Sequence, residues 1–199
     1  YMSYDQFAED CEVGERILGS GVVEYALDPE DVRLAITKLL AQGVEAIAVC
    51  FINSYLNPVH EQQVGKLIAE IAPQTVVCLS SDIHPEIREY ERMSTTAINA
   101  ALIPVVNDYL DRLEHALSRY SDRLLIMQSN GGIMTEQSAR RRPIYMIESG
   151  PAAGALAAAR LAVEAGATQA LSFDMGGTTA KACLIEHGMP LEKPGGEIG

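Results

Sequence analysis

The sequence is short of basic charge: 15 Lys and Arg stand against 27 Asp and Glu, a formal net charge of −12 at pH 7. The acids are spread over most of the chain, which argues against a surface for nucleic acid or an anionic membrane. It also lacks a long apolar run. The best stretches, 44–52 and 152–163, are interrupted by Glu45 and Arg160 and are too short to cross a bilayer, so a soluble protein is expected. Residues Tyr1 to Asp5 contain neither a basic region nor an apolar core, no secretory signal is read, and the cytoplasm is the default compartment. Cys11, Cys50, Cys78 and Cys183 lie far apart with no C-x-x-C pair, which leaves buried, reduced thiols as the expectation. His60, His84, His115 and His187 show no metal-ligand spacing and are read as surface or capping residues. There is no G-x-S-x-G elbow, so a Ser-His-Asp hydrolase is unsupported.

What is present is a core-forming α/β pattern, with 48% hydrophobic residues. Val22, Val23 and Tyr25 suit short strands turning at Gly19-Ser20-Gly21. Asp28-Pro29-Glu30-Asp31 is an N-cap, a proline at the first helical position and acids in the first turn, and Gly43 closes the helix it opens. A strand follows at 46–52, a helix opens at Asn57-Pro58, and another strand is expected over 75–79. Strand, helix, strand in this order means parallel pairing through crossovers. Residues 85–120 read as helix with a kink or a second start at Pro104, then a strand over 124–128, a turn at Gly131-Gly132, a helix over 135–141 and a strand over 144–147. An alanine-rich helix over 152–165, able to lie close to a sheet, precedes strands over 169–173, 180–186 and 189–191.

The chemistry concentrates at Asp174-Met175-Gly176-Gly177-Thr178-Thr179. An Asp at the end of a buried strand is costly unless its charge is used, and two glycines remove the side chains that would keep a phosphate chain from backbone N–H groups. Thr178 and Thr179 add hydroxyls, so a phosphate-binding hairpin is expected, with a plain turn as the alternative. It is not a Walker A loop, because no G-K-[S/T] follows. Lys181 is read as alternating to the other face of its strand and solvated, with a phosphate contact as the alternative. Ser149-Gly150, just before the alanine helix, offers free N–H groups at a positive helix end. Ser129, Asn130 and Gly131 sit at a strand's C-terminal end, where open sheets place ligands, although an Asn-Gly turn reads equally well. Glu86 to Arg92 is a dense charged run, ordinarily a solvated helix face.

The Asp-x-Gly-Gly-Thr string between strands, preceded by Glu148-Ser149-Gly150-Pro151-Ala152-Ala153, resembles the second phosphate loop and crossover helix of the actin, Hsp70 and sugar-kinase superfamily. The finer resemblance is to the hydantoinase/oxoprolinase family, in particular its N-methylhydantoinase or hydantoin-utilisation A subunits. It rests on Asn57-Pro58-Val59-His60-Glu61, Pro85 to Arg92 with Ser94-Thr95-Thr96, Met127 to Gly132, Ser149 to Gly154 and Phe173 to Thr178. The chain departs from the commoner pattern at Asn53-Ser54 and at Thr179-Ala180-Lys181, where many members carry His-Ser and end on an Asp.

The resemblance implies an α/β, RNase H-like ATPase of actin type, built on a mixed sheet with flanking helices, of which this chain is a fragment. Residues 1–150 would belong to the later part of the first lobe, with 1–80 ending the family's N-terminal region. Residues 151–199 would supply the crossover helix and phosphate hairpin that open the second lobe. It implies ATP and Mg²⁺ as cofactors, Asp174 as the catalytic residue that organises Mg²⁺ through water or orients a nucleophile near the γ-phosphate, and Gly176, Gly177, Thr178, Thr179, Ser149 and Gly150 on the phosphates. Ser129, Asn130, Gly131, Arg88 and Arg92 would be substrate or phosphate contacts. The implied activity is hydrolysis of a cyclic amide, a hydantoin or 5-oxoproline, driven by phosphorylating the ring amide, in an oligomer with a B-type subunit or domain. Alternatives are an acetone-carboxylase-like subunit phosphorylating a ketone, and a nucleotide-switched binding protein in the Hsp70 or actin manner.

Overall fold

In the computed structural model, which describes residues 11–121, 123–177 and 179–191, the signal at Asp28 opens helix α1 (Pro29–Ala41). The Asp28 carboxylate accepts the Glu30 N–H at 2.9 Å, which satisfies one of the helix's orphan donors. Before it, β1 (Arg16–Ile17) and β2 (Val23–Tyr25) pair antiparallel around a turn in which Gly21 takes a φ of +80°. Strand β3 (Ala46–Val49) then pairs parallel with β4 (Val76–Leu79), with helix α2 (Val59–Ile71) as the crossover. The buried stripes of the two helices, Val32 and Ile36 with Val64 and Ile68, close over Ile47 and Val49 to make the main apolar cluster.

The chain divides into two compact units between Tyr109 and Leu110, inside helix α4 (Glu89–Leu117). The division expected near residue 150 therefore falls within the second unit. Helix α4 follows the short α3 (Ser80–Ile83) and runs through Pro104, so no second helix starts there. Pro104 has no N–H to give the carbonyl four residues back.

In the second unit β5 (Leu125–Met127) and β6 (Ile133–Thr135) form a hairpin that leads into α5 (Glu136–Arg141), whose N-cap is Thr135. The strand expected over 144–147 is instead a 3-10 helix at Pro143–Met146. Pro143 presets the helical φ at its start, and the Tyr145 N–H reaches the Arg142 carbonyl at 3.2 Å, so a short apolar run with strand-like composition is held in a turn. Helix α6 (Ser149–Glu164) packs on a three-stranded antiparallel meander of β7 (Gln169–Met175), β8 (Ala180–Glu186) and β9 (Met189–Pro190). Ala155, Ala159 and Ala162 are buried on α6, so its backbone does lie close to the sheet. Parallel and antiparallel pairing both occur, divided among four small sheets in the described residues. None of the described helices is long and apolar enough to cross a membrane.

Charge is buried in the first unit where surface charge was expected. His60 is 3% exposed and its Nδ1 lies 2.8 Å from Glu15, so it is no surface or capping residue; its place on the inward face of α2 decides its burial. Glu61 and Arg92 are wholly buried. Glu61 accepts from the Phe51 N–H at 2.9 Å, the Ser80 hydroxyl at 2.6 Å and the Ser81 N–H at 2.8 Å. Arg92 donates from Nε to Ser80 Oγ at 3.1 Å and from its two terminal nitrogens to the carbonyls of Glu86 and Phe51. Its guanidinium carbon also stands 5.5 Å from the centre of the Tyr55 ring. Because Ser80 gives its one proton to Glu61, the Ser54 hydroxyl 3.1 Å away is the donor in their contact.

All four cysteines are free thiols, as expected, but only Cys78 is buried, and Cys11, Cys50 and Cys183 are partly exposed. Burial pushes the Cys78 thiol above its ordinary value, against a smaller opposing effect of the Asn99 amide.

Removing one member of a buried ionic network leaves the other uncompensated, so Arg92→Met should cost about 3–5 kcal/mol of unfolding free energy. The exposed Arg88→Ala should stay within about 0.5 kcal/mol. Urea unfolding followed by circular dichroism checks both, and equal losses would mean that Arg92 contributes no more to the fold than a surface arginine.

Candidate functional site

Asp174 lies near the C-terminal end of β7, opposite Lys181 on β8, with Met175 opposite Ala180. Residues paired across an antiparallel ladder share a face. Lys181 therefore points to the same side as Asp174, against the expectation that it turned away. That side also carries the half-buried Ala170, Ser172 and Cys183 and the buried Ile185. The opposite face carries Leu171, Phe173, Met175 and Leu184, all more than half exposed, so β7 is not the buried strand that was expected.

Between the strands the Gly176 N–H donates to the Thr179 carbonyl at 3.0 Å and closes the turn. Thr178 lies outside the described residues. Neither glycine adopts the left-handed conformation that would call for glycine. A Cβ on Gly177 would meet nothing within 4 Å, and one on Gly176 only the Thr179 carbonyl oxygen at 4.0 Å. So neither the turn dihedrals nor the neighbouring described atoms require a glycine pair here. The space above Gly177, and its N–H, which has no acceptor among the described residues, are open to something from outside.

The start of α6 meets the same side of this hairpin. Glu148, the residue before the helix, has φ 63° and ψ 14°, a left-handed conformation that costs a non-glycine residue about 1–2 kcal/mol. Its carboxylate makes no capping bond to the first turn; it pairs with the Lys181 ammonium instead. Pro151 has no N–H, and the first helical bond runs from the Ala152 N–H to the Glu148 carbonyl. The N–H groups of Ser149 and Gly150 are left at a positive helix end with no acid in the first turn. A Cβ on Gly150 would also meet nothing within 4 Å.

The structure thus brings Asp174, Gly176, Gly177, Thr179, Ser149 and Gly150 to one end of one unit. The reading of the residues missed Glu148 and the orientation of Lys181. The strand register, counted from the turn, could have supplied the second.

The other candidates have local explanations. Asn130 Oδ1 accepts the Gly132 N–H at 2.9 Å, Ser129 donates its N–H to the Tyr145 carbonyl at 2.8 Å, and Gly131 has φ +83°. A cleft of about 410 Å³ lies beside them, yet it is lined by Gln128, Arg142, Tyr145 and neighbours, and not by Ser129 or Asn130. Arg88 is exposed, takes φ 85° and pairs with Glu91 at 3.5 Å, while Arg92 is consumed by the buried network. No group of three or more His, Cys, Asp or Glu among the described residues could hold a metal ion. A hard cation at Asp174 would draw its other ligands from phosphate oxygens and water, which is the usual habit of Mg²⁺.

Comparison with known proteins was made on this background. The hydantoinase/oxoprolinase profile matches residues 92–198, and the profile of the hydantoinase/oxoprolinase N-terminal region matches residues 5–72. The chain is 34% identical to the caprolactamase subunit alpha of Pseudomonas jessenii over 88% of its own length and 26% of that subunit. It is 38% identical to an uncharacterized protein of Methanocaldococcus jannaschii, over 94% of this chain and 28% of that protein. Among solved structures it is similar to the ATP-dependent caprolactamase of P. jessenii, with a TM-score of 0.80 and 32% identity over 92% of this chain and 28% of that one. A nucleotide-free acetone carboxylase gives a TM-score of 0.79 and 26% identity over 88% of this chain and 25% of that one. The chain spans about a quarter of the length of these relatives.

Two glycines separate conformational need from open space. Gly131→Ala must strain a positive φ and bring a Cβ to 2.6 Å from Leu156 Cδ1, and should cost about 1–3 kcal/mol in denaturant unfolding. Gly177→Ala should unfold within about 0.5 kcal/mol of the parent. A comparable loss at Gly177 would mean that the glycine serves the fold.

Proposed function

The chain belongs to the hydantoinase/oxoprolinase family, and from that premise we propose that it is part of an ATP-dependent enzyme that opens cyclic amides. The observation that carries the reading is the glycine pair beside Asp174, which the described residues do not need and which leaves backbone open where a phosphate chain would lie. The wider architecture is proposed to be the RNase H-like, actin-type ATPase, with residues 1–150 in the later part of the first lobe and 151–199 opening the second. The whole protein is proposed to work in the cytoplasm, as an oligomer with a partner subunit or domain of B type. An acetophenone carboxylase gamma subunit and a caprolactamase subunit alpha among the relatives support a partner.

The chemistry asks for activation because an amide carbonyl is a poor electrophile. Transfer of the γ-phosphoryl group of ATP to the amide oxygen releases ADP and leaves a phosphorylated imidate. Water adds to its carbon, the carbon–nitrogen bond breaks as the nitrogen takes a proton, and a second water hydrolyses the acyl phosphate left behind. The products are an open-chain acid, ADP and inorganic phosphate. For this chain's residues the roles follow from placement. The Gly177 N–H and the N–H groups of Ser149 and Gly150 bind phosphate oxygens, assisted by the hydroxyls of Thr178 and Thr179. Asp174 is exposed at the strand end and has no partner among the described residues, which fits a carboxylate that orients a hydrated Mg²⁺. Mg²⁺ bound there would supply positive charge to the transferring phosphoryl group.

A second reading is supported by the similarity to acetone carboxylase, namely phosphorylation of a ketone in place of an amide. Both readings use the same hairpin and differ in the acceptor.

In the full-length protein with its partner, Mg·ATP-dependent phosphate release should rise with one of a panel of hydantoins, 5-oxoproline, caprolactam or acetone plus bicarbonate, and the compound that stimulates decides between the readings. Asp174→Ala should lower that release by roughly 10²-fold or more with the fold intact. Undiminished release from Asp174→Ala would remove it from the mechanism.

A further inference from the structure

The ion pair between Glu148 and Lys181 is a feature that neither packing nor capping requires. It joins β8 to the residue ahead of α6, on the face that Asp174 shares. Glu148 is held in a left-handed backbone conformation, and its carboxylate leaves the helix N–H groups open in order to reach the lysine. A short acceptor such as Asp or Ser would cap the first turn from this position, which Glu148 does not do. Here it lies beside the open end of α6 and satisfies a lysine that would otherwise face the turn alone.

We propose that Lys181 is a phosphate-binding residue of this site, held at rest by Glu148 and handed over to the terminal phosphate when the nucleotide binds. The inference rests on the ATP-dependent reading above and deepens it. Three observations carry it. First, the register places Lys181 level with Asp174, one residue pair from the end of the ladder beside Gly176-Gly177. Second, the pair is easy to exchange: the side chains are 37% and 53% exposed, so water already competes for both charges. The terminal phosphate of a nucleotide carries close to two negative charges where Glu148 carries one, so it offers the lysine the larger electrostatic attraction. Third, the site brings two carboxylates, Asp174 and Glu148, towards a ligand that is itself strongly anionic. A single bound cation would leave that repulsion only partly offset, and Lys181 supplies the remainder from the chain. When Lys181 leaves, Glu148 is released from the contact that its strained backbone serves, which makes it the resting counter-ion of the site.

Nucleotide affinity of the full-length protein, with Mg²⁺ present and no substrate, reads this without turnover. Dissociation constants for the non-hydrolysable imido analogue of ATP and for ADP should be measured by calorimetry. Lys181→Met should weaken the triphosphate analogue by roughly tenfold or more while ADP changes by less than about threefold. Lys181→Arg should keep most of the preference for the triphosphate. Glu148→Gln should tighten the analogue by up to about fivefold, since the lysine no longer has to leave a partner. If the pair merely fastens α6 to the hairpin, Lys181→Met and Glu148→Gln will lower the melting temperature alike and leave the ratio of the two affinities unchanged, which would overturn the proposal. A parent protein that binds neither nucleotide would overturn the ATP-dependent reading itself, an outcome that the variants cannot mimic.

Discussion

A carboxylate taken wholly out of water must find donors, and much of the first unit is arranged to give them to Glu61. Its three hydrogen bonds come from the segments that follow the two parallel strands, the Phe51 N–H after β3 and the Ser80 hydroxyl and Ser81 N–H after β4. Arg92 answers from α4, binding the carbonyl of the same Phe51 and the hydroxyl of the same Ser80. The ends of β3 and β4 are thereby tied to α2 and α4 through polar atoms that have few alternatives once buried. The apolar cluster beneath supplies attraction without direction; the network selects which segments meet.

That selection explains what could be read beforehand and what could not. The α1 cap, the crossover from β3 through α2 to β4 and the alanine face of α6 follow from local signals whose chemistry acts over a few residues. The charged run from Glu86 to Arg92 reads as a solvated face because six of its seven residues are charged or carry a hydroxyl, yet its last member turns inward. The helix starts only at Glu89, so Arg92 sits one turn in, on the face that meets Ser80. No pattern within that run records that Ser80 and Glu61 wait there. His60 was misjudged for the same reason, since its partner Glu15 is distant in sequence. At 144–147 the error was of another kind: a short apolar run fits strand or turn, and Pro143 decided it.

The glycine hairpin after β7 was legible as a motif, but its meaning is clearer in three dimensions. Two glycines in a turn usually have a conformational explanation, and Gly131 and Gly188 do have one, with φ of +83° and +77° and neighbours that a Cβ would strike. Gly176 and Gly177 have neither property. The contrast within one chain is what turns a composition signal into an argument about a visitor. It also divides the labour between the two glycines, since the Gly176 N–H is spent on closing the turn and the Gly177 N–H has no acceptor among the described residues.

The same reasoning about cost decides which basic residues can serve a ligand. Arg92 is charged and lies within a stretch that carries the family likeness, but its guanidinium is bound on all sides, and withdrawing it would strand Glu61 at a cost of about 3–5 kcal/mol. A ligand would have to supply that much again before any net binding appeared. Lys181 gives up a half-exposed pair worth at most about 1 kcal/mol. A charge that a ligand can draw off is one whose resting contact water has already weakened, and a charge that organises the fold is one that cannot be exchanged. Buried Arg92 meets the second condition and half-exposed Lys181 meets the first.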